Sequence, residues 1–314
     1  MTNSLAGCDV ISIADLSKDD IRAVLDQART VEGVLVTGRP LKILEGKLLA
    51  TLFYEPSTRT RLSFESAMQR LGGSVLSVAE AKTSSSAAKG ETLFDMGRMI
   101  ESYADVAVIR SPVVGSAREL ADGASIPVIN GGDGIGEHPT QALLDLYTIE
   151  RETGSLDGLH IALVGDLKNG RTVHSLSKAL SRFDVSMTFV APDALRMPDD
   201  VMSWLSRNGN SARVSESNDL AATLRQVDVA YVTRIQKERF ADLSEYEALK
   251  GAYVVDRKLV EASKKDIRIM HPLPRVDEIA TDVDDLPNAA YFRQARNGVY
   301  VRMALLALVL GAAG

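Results

Sequence analysis

Continuous apolar runs alternate with helical patterns along this chain. Residues 48–54 are apolar or β-favouring throughout, which is typical of a strand covered on both faces. Pro56 then interrupts the backbone, and Ser57 or Thr58 is placed to cap a helix. We expect that helix to stop at the glycine pair 72–73. Its predicted apolar face consists of Leu62, Ala67, Met68 and Leu71.

The same two patterns recur to the end of the chain. They predict strands at residues 74–78, 105–109, 126–129, 159–166, 228–233, 252–256 and 268–270. They predict helices at residues 17–33, 91–103, 139–149, 171–182 and 291–310, and a loop or short helix at residues 242–250. Strand–helix alternation of this kind is typical of α/β folds with mainly parallel sheets. Because the alternation starts afresh near residue 140, we predict two doubly wound domains.

Composition and charge narrow the class of protein. The 314 residues are 45% hydrophobic and 25% charged, which is ordinary for a soluble globular chain of about two domains. A net charge of −6 without a long basic run argues against general attraction to nucleic acid or anionic membranes. The single cysteine, Cys8, excludes an intrachain disulfide and agrees with the reducing cytoplasm. We expect no targeting segment, and the apolar run 304–310 is too short to span a bilayer.

The first turn of the helix after Pro56 carries unusual chemistry. Helix N-termini favour acidic side chains, yet residues 57–61 read Ser-Thr-Arg-Thr-Arg. Free N–H groups, hydroxyls and guanidinium groups together form a receptor for a phosphate. The alternative is a capped helix with two solvated arginines, Arg59 and Arg61, but the whole cluster at a strand's carboxyl end favours the phosphate. Arg110 follows another buried strand and is expected at the same edge of the sheet.

Several motifs resemble those of one enzyme family. Residues 53–61 resemble the carbamoyl-phosphate signature of the aspartate and ornithine carbamoyltransferases, and residues 138–141, His-Pro-Thr-Gln, resemble the second carbamoyl-binding motif of that family. Residues 89–92 and 165–175 are similar to further motifs in the form seen in the aspartate branch. The resemblance covers nearly the whole chain. Asn169 departs from the pattern, since some relatives carry tyrosine there, and this puts interface or closure contacts in doubt.

The resemblance implies different substrates for the two domains. Residues 1–139, with the C-terminal helix 296–314 packed back on them, would bind carbamoyl phosphate, and residues 140–295 would bind L-aspartate. Glu55 is expected to bridge the domains on closure by pairing with Arg171 or Arg234. The implied ligands of carbamoyl phosphate are Ser57, Thr58, Arg59, Thr60, Ser85, Arg110, His138, Gln141 and the carbonyls of Leu273 and Pro274. The implied ligands of aspartate are Lys89, Arg171, Arg234 and Gln236.

The sequence also bears on the choice between aspartate and ornithine. His-Pro-Leu-Pro at residues 271–274 replaces the cysteine-containing sequence of the ornithine branch. Arg171 and Arg234 would repel the cationic side chain of ornithine but match the two carboxylates of aspartate. The Leu273–Pro274 bond is a candidate cis peptide, because X-Pro bonds adopt that form most readily. A rigid surface turn is the alternative interpretation of the two prolines.

The implied reaction is attack of the neutral aspartate amine on the carbonyl carbon of carbamoyl phosphate. It yields N-carbamoyl-L-aspartate and phosphate, the committed step of de novo pyrimidine (UMP) biosynthesis. Arg59, Thr60 and His138 would polarise the carbonyl. Lys89 would reach the site from a neighbouring subunit, so the resemblance implies a homotrimer with shared active sites. We expect this homotrimer to be cytoplasmic. The family needs no metal or organic cofactor, and regulatory chains are left open as partners. The alternatives are transfer to another amine, such as ornithine, and a non-catalytic homologue.

Overall fold

The computed structural model describes residues 4–79, 90–208, 213–240 and 242–312. The chain divides into two compact units. Unit 1 is Met1–Leu144 with Asn297–Gly314, and unit 2 is Asp145–Arg296. The division falls inside the helix that begins at Pro139, whereas the sequence analysis placed it at the start of that helix.

Unit 1 is built on a parallel sheet. Its strands are β1 (Leu48–Phe53), β2 (Ser74–Val78), β3 (Val106–Ser111) and β4 (Val128–Asp133). Within the described residues they form one four-stranded sheet in the order β2-β1-β3-β4. The helices that begin in this unit are α1 (Lys18–Val36), α2 (Thr58–Arg70), α3 (Leu93–Ile100), α4 (Ser116–Gly123) and α5 (Pro139–Thr153).

Unit 2 repeats the architecture with one more strand in its described part. The strands are β5 (His160–Val164), β6 (Ser186–Val190), β7 (Arg213–Ser217), β8 (Val229–Val232) and β9 (Arg268–Met270), all parallel, in the order β7-β6-β5-β8-β9. The helices are α6 (Arg171–Leu180), α7 (Asp199–Asn208), α8 (Leu220–Leu224), α9 (Leu243–Leu249), α10 (Arg257–Glu261) and α11 (Tyr291–Val309). Helix α11 begins in unit 2 and ends in unit 1. The predicted fold, α/β with two mainly parallel sheets and a C-terminal helix, is confirmed.

Three local predictions were wrong. Residues 252–256 form no strand, and Val255 makes only an isolated bridge to Ile279. Leu62 is 51% exposed, because the buried face of α2 passes through Phe64, and residues two apart on a helix point in different directions. Helix α1 continues through the expected stop at residue 33 and ends before Gly38, whose φ of 73° is the left-handed conformation that terminates helices.

An aspartate performs the same task in both sheets. Asp105 precedes β3, and its Oδ2 accepts the N–H of Leu48, the first residue of β1, at 2.8 Å. Asp228 precedes β8, and its Oδ2 accepts the N–H of His160, the first residue of β5, at 2.8 Å. A lysine ammonium donates to the other carboxylate oxygen of each, at 2.8 and 2.6 Å. Each central strand therefore starts on a charged hydrogen bond, the stronger kind.

In the part of the chain that the structure describes, no helix combines the length and apolar character required to cross a membrane.

Candidate functional site

The carboxyl edge of the unit 1 sheet gathers several predicted ligands. Arg110 lies opposite Phe53 in the β1–β3 pairing, and its carbonyl accepts the N–H of Tyr54 at 2.8 Å. Its guanidinium Nη1 donates to the carbonyl of Gly131 on β4 at 3.3 Å and lies 3.5 Å from Oγ1 of Thr60 on α2. Arg110 thus connects the ends of three neighbouring elements, as expected for a ligand site at this edge.

The first turn of α2 has features of an anion receptor. Ser57 occupies the N-cap position, but its side chain makes no capping hydrogen bond, and the first turn holds no acidic residue. Thr58 and Arg59 are exposed, while Thr60 is buried. Partial desolvation lowers the pKa of the Arg59 guanidinium, which nevertheless stays cationic at neutral pH. The helix therefore leaves its N-terminal N–H groups and the Ser57 hydroxyl to other acceptors and donors.

Arg61 is placed differently from Arg59. Its Nε lies 3.8 Å from Oε1 of Glu65, one turn along α2. The same Glu65 oxygen accepts from the hydroxyls of Thr51 and Ser77 at 3.1 and 2.7 Å. The predicted pair of phosphate-facing arginines in this helix therefore narrows to Arg59, because Arg61 belongs to a cluster that joins α2 to the sheet.

Glu55 lies next to the cationic groups of unit 1. Its Oε1 is 2.7 Å from Nη2 of Arg110, and the two side chains are only 20% and 13% exposed. This ion pair offsets the repulsion that a carboxylate beside a phosphate site would cause. Pairing of Glu55 with Arg171 or Arg234 remains a prediction.

The turn between β4 and α5 supplies another part of the unit 1 site. His138 and Gln141 are 4% and 8% exposed, and the His138 carbonyl accepts the N–H of Gln141 at 3.0 Å. Asp133 shapes the turn by accepting the N–H groups of Gly115 and Glu137 at 3.0 and 2.7 Å. Sequence reasoning missed Asp133, since one of its partners, Gly115, comes from the segment after β3. Pro139 starts α5 as predicted.

A buried carboxylate organises the corresponding edge of unit 2. Asp166 follows β5 and is fully buried; it accepts the N–H of Asn169 at 3.0 Å and the N–H of Gln236 at 3.3 Å. The Asn169 side-chain amide donates to both Asp166 oxygens at 3.1 and 3.2 Å, and the Gln236 amide donates to the Asn169 carbonyl at 3.1 Å. The loops after β5 and β8 are therefore tied together, which brings predicted ligand Gln236 beside the 165–171 motif.

The two arginines predicted to bind aspartate stand at these loops. Arg171 is the first residue of α6, which has Gly170 at its N-cap and no acidic residue in its first turn. Arg234 follows β8, and both side chains are half-buried. Unit 2 therefore presents cationic and amide groups at the carboxyl ends of two adjacent strands, which suits carboxylates.

The 271–274 turn follows β9 at the same edge of unit 2. The Leu273–Pro274 peptide bond is cis, as the sequence suggested, and Leu273 has a φ of 57°. Ser85 and Lys89, which the resemblance assigned to carbamoyl phosphate and aspartate, lie outside the described residues.

Comparison with known proteins gives the family. The model of the aspartate/ornithine carbamoyltransferase carbamoyl-P binding domain matches residues 8–151, and that of the Asp/Orn binding domain matches residues 157–309. The chain belongs to the aspartate/ornithine carbamoyltransferase family. The resemblance found in the sequence is thereby confirmed.

Individual relatives in this carbamoyltransferase family match over almost their full length. The aspartate carbamoyltransferase catalytic subunit of Thermoplasma acidophilum is 55% identical over 302 residues, covering 96% of this chain and 98% of the relative. The aspartate transcarbamoylase of Trypanosoma cruzi, solved with carbamoyl phosphate and aspartate, has a TM-score of 0.93 at 43% identity, covering 98% of both chains. The same T. cruzi enzyme with N-(phosphonacetyl)-L-aspartic acid gives a TM-score of 0.93 at 44% identity and the same coverage.

Proposed function

We propose that this protein transfers the carbamoyl group of carbamoyl phosphate to the amine of L-aspartate, releasing N-carbamoyl-L-aspartate and phosphate. The observation that carries the proposal is the match along 98% of the chain to the T. cruzi enzyme, which was solved with both substrates. The chemistry of the two edges agrees with it: an anion receptor in unit 1 and paired arginines in unit 2.

Unit 1 is suited to bind and activate carbamoyl phosphate. The hydroxyls of Ser57 and Thr58, the α2 N–H groups and Arg110 would hold the phosphate, with Ser85 and Lys89 as further ligands. Donors of the Arg59, Thr60 and His138 type stabilise a developing oxyanion, and the loss of one such donor typically costs an enzyme about 3 kcal/mol. The Gln141 amide would accept from the carbamoyl nitrogen.

Unit 2 is suited to a dicarboxylate. Arg171 and Arg234 offer two guanidinium forks, and the Asp166 contacts hold Gln236 beside them. Ornithine would bring an ammonium group toward these cations; two like charges about 4 Å apart repel by about 4 kcal/mol at an effective dielectric constant of 20. The electrostatics therefore favour aspartate over ornithine.

No side chain has to remove the proton of the attacking amine in this scheme. The departing phosphate dianion accepts protons near neutrality, so it would take the amine proton as the C–N bond forms and the C–O bond to phosphate breaks. The carbonyls of Leu273 and Pro274 would accept hydrogen bonds from the nitrogen substituents. Positioning of the two substrates would then supply much of the rate.

The direct test is turnover with carbamoyl phosphate and a panel of amines. We expect N-carbamoyl-L-aspartate and phosphate in equal amounts, with ornithine and other amines far slower. A preference for ornithine would reassign the substrate, and absence of turnover with every amine would favour the non-catalytic alternative.

A pair of arginine variants tests the unit 1 site in the same assay. Arg59→Ala should lower kcat by about 10² to 10³, because a donor to the oxyanion is lost. Arg61→Ala is the matched control, two residues along the same helix and paired with Glu65. Its kcat should remain near that of the wild type, and equal losses in both variants would contradict the assignment of Arg59.

The cellular setting and assembly extend this proposal. We infer a homotrimer in which Ser85 and Lys89 of one subunit complete the site of another, acting in the committed step of de novo pyrimidine (UMP) synthesis in the cytoplasm. The single cysteine is in keeping with a reducing compartment. The T. acidophilum relative is named a catalytic subunit, which supports regulatory chains as further partners of the trimer.

A further inference from the structure

The ring of His271 has a tautomer fixed by its neighbours. The N–H of Leu273 donates to Nδ1 at 2.7 Å, so Nδ1 must be the acceptor nitrogen. Nε2 then carries the hydrogen, and it lies 2.6 Å from Oε1 of Glu278. The residue is 1% exposed, so no solvent is needed to satisfy either nitrogen. His271 is therefore a neutral imidazole that bridges a carboxylate and a backbone amide.

The surroundings of this ring are a continuous buried network. Glu278 also accepts the N–H groups of Val276 and Asp277, at 3.2 and 3.1 Å. The N–H of His271 donates to Oε1 of Gln294 at 2.8 Å. The Gln294 amide in turn donates to Asp145 at 2.7 Å. A displacement of His271 would leave several buried groups unsatisfied, so its position is strongly determined.

The hydrogen bond from the N–H of Leu273 to His271 is made by a residue in a disfavoured backbone conformation. Leu273 has a φ of 57°, in the left-handed region that leucine rarely adopts. Beyond Pro274, Arg275 forms an ion pair with Asp284, and its guanidinium lies 5.4 Å from the ring centre of Tyr291. The turn is therefore held before Pro274 by the hydrogen bond to His271 and after Pro274 by the ion pair of Arg275.

We propose that His271 is a positioning residue for carbamoyl transfer: its Nδ1 holds the Leu273 amide so that the Leu273 and Pro274 carbonyls face the reacting nitrogen groups. The inference rests on the function proposed above. His271 itself touches no substrate in this scheme. Its contribution is to fix the Pro272–Leu273 peptide plane, from which the backbone dihedral angles of Leu273 set the direction of the two carbonyls that follow.

The charges around the ring favour the required neutral form. Burial lowers the pKa of His271, the cations Arg234 and Arg275 lower it further, and only Glu278 opposes them. A protonated ring would present an N–H at Nδ1 to the N–H of Leu273, and the orienting bond would be lost. Arg234, one of the proposed aspartate ligands, thus also helps to keep the acceptor nitrogen unprotonated.

Two amide variants separate positioning from simple packing. His271→Asn retains an acceptor near the place of Nδ1, whereas His271→Gln retains a donor near the place of Nε2 and loses that acceptor. We expect kcat to fall about 10- to 100-fold in His271→Gln and His271→Ala but less than about tenfold in His271→Asn. The KM values for both substrates should change by less than about threefold, because the phosphate and carboxylate ligands are unaltered.

The control is His160→Gln, a histidine of the same unit whose Nε2 lies 2.8 Å from Thr188 Oγ1. It should keep wild-type kcat. Melting temperatures of all variants show whether losses follow stability. If His271→Gln is as active as His271→Asn, or if kcat simply follows the melting temperature, the positioning role is wrong. An inactive wild type would instead defeat the proposed function.

A measurement without turnover tests the tautomer itself. The chain has four histidines, so ¹⁵N-histidine spectra of the wild type and His271→Asn assign the ring of His271 by difference. We expect hydrogen on Nε2 and none on Nδ1 at neutral pH. An imidazolium at pH 7, or hydrogen on Nδ1, would overturn the inference even in a fully active enzyme.

Discussion

Arg234 and Arg196 are both arginines of unit 2, yet their settings differ. Arg234 is half-buried at the end of β8, while Arg196 is exposed and pairs with Asp193 at 2.7 Å. Arg234→Ala should raise the aspartate KM and lower kcat, because a ligand of the aspartate carboxylates is lost. Binding of carbamoyl phosphate, followed by calorimetry, should stay within a few fold.

Arg196→Ala is the matched control and should leave all these constants unchanged. Unaltered aspartate kinetics in Arg234→Ala would contradict the assignment of aspartate recognition to unit 2.

Single residues also mark where inference from sequence stops. The cluster at residues 57–61 suggested an anion site together with Arg110, and the resemblance gave roles to these residues and to His138. The partners of Asp166 were not foreseeable, because Gln236 lies some way along the chain and only the pairing of β5 with β8 brings them together. The bond from the Asn169 side chain to Asp166 is a local one, three residues apart, and the sequence analysis did not consider it.

At the scale of elements, Gly165 lies where the backbone after β5 comes close to the backbone after β8. Its φ is 114°, and a Cβ built there would lie 2.3 Å from the carbonyl oxygen of Thr233. Gly165→Ala should lower the free energy of unfolding by at least about 2 kcal/mol, through backbone strain and this clash. Urea unfolding followed by circular dichroism measures it.

Gly158→Ala separates strain from clash. Gly158 also has a positive φ, 86°, but no atom lies within 4 Å of the built Cβ. Gly158→Ala should lower the free energy of unfolding by about 1 kcal/mol, which is the contribution of backbone strain alone. Equal losses in the two variants would show that the close approach of Thr233 has little effect.

The aspartates that start the central strands predict a pH dependence. Burial alone would raise the pKa of Asp228, but the hydrogen bonds from His160 and Lys264 outweigh it and the pKa is lowered. A carboxylate whose pKa is lower in the folded state stabilises the protein at pH values above its unfolded-state pKa of about 3.9. This stabilisation is lost as the pH falls through the folded-state pKa.

Asp228→Asn should therefore be less stable than wild type at pH 7, by on the order of 1 kcal/mol because the carboxylate is partly exposed. Urea midpoints measured between pH 7 and pH 3 should converge toward the acid end. A gap that does not change with pH would mean that the charge of Asp228 contributes nothing. Asp105→Asn should behave in the same way in unit 1, since the pKa of Asp105 is lowered by similar hydrogen bonds against burial.

Burial favoured the prediction of an element but did not decide it, because the sequence analysis missed the buried strand β6 and located the largely exposed edge strand β2. Strands β1 and β5 are apolar runs inside their sheets, and the sequence pattern located both. Strand β7 escaped detection because it lies at a sheet edge with the sequence RVSES, which has no apolar run.

At the scale of the whole molecule, the proposed sharing of sites is open to a mixing experiment. Arg59→Ala and Lys89→Ala homotrimers should each be nearly inactive, since each lacks one part of every site. Trimers refolded from an equal mixture should regain activity, because about one site in four would combine an intact Arg59 with an intact Lys89, by independent pairing.

Activity near that fraction, with sedimentation showing that mixed trimers formed, would support shared sites. Mixed trimers without recovery would mean that each site is built within one chain.

The assignment of the chain's last segment to unit 1 has a consequence for synthesis on the ribosome. Residues from Asn297 onward complete unit 1, with Leu305 and Leu306 fully buried and Arg302 lying 5.0 Å from the ring centre of Phe64 on α2. Unit 2 is therefore made in full while unit 1 still lacks part of its core, although most of unit 1 is translated first. A nascent chain stopped before Asn297 would carry a finished unit 2 and an α2 helix, with its phosphate-binding turn, still missing its support.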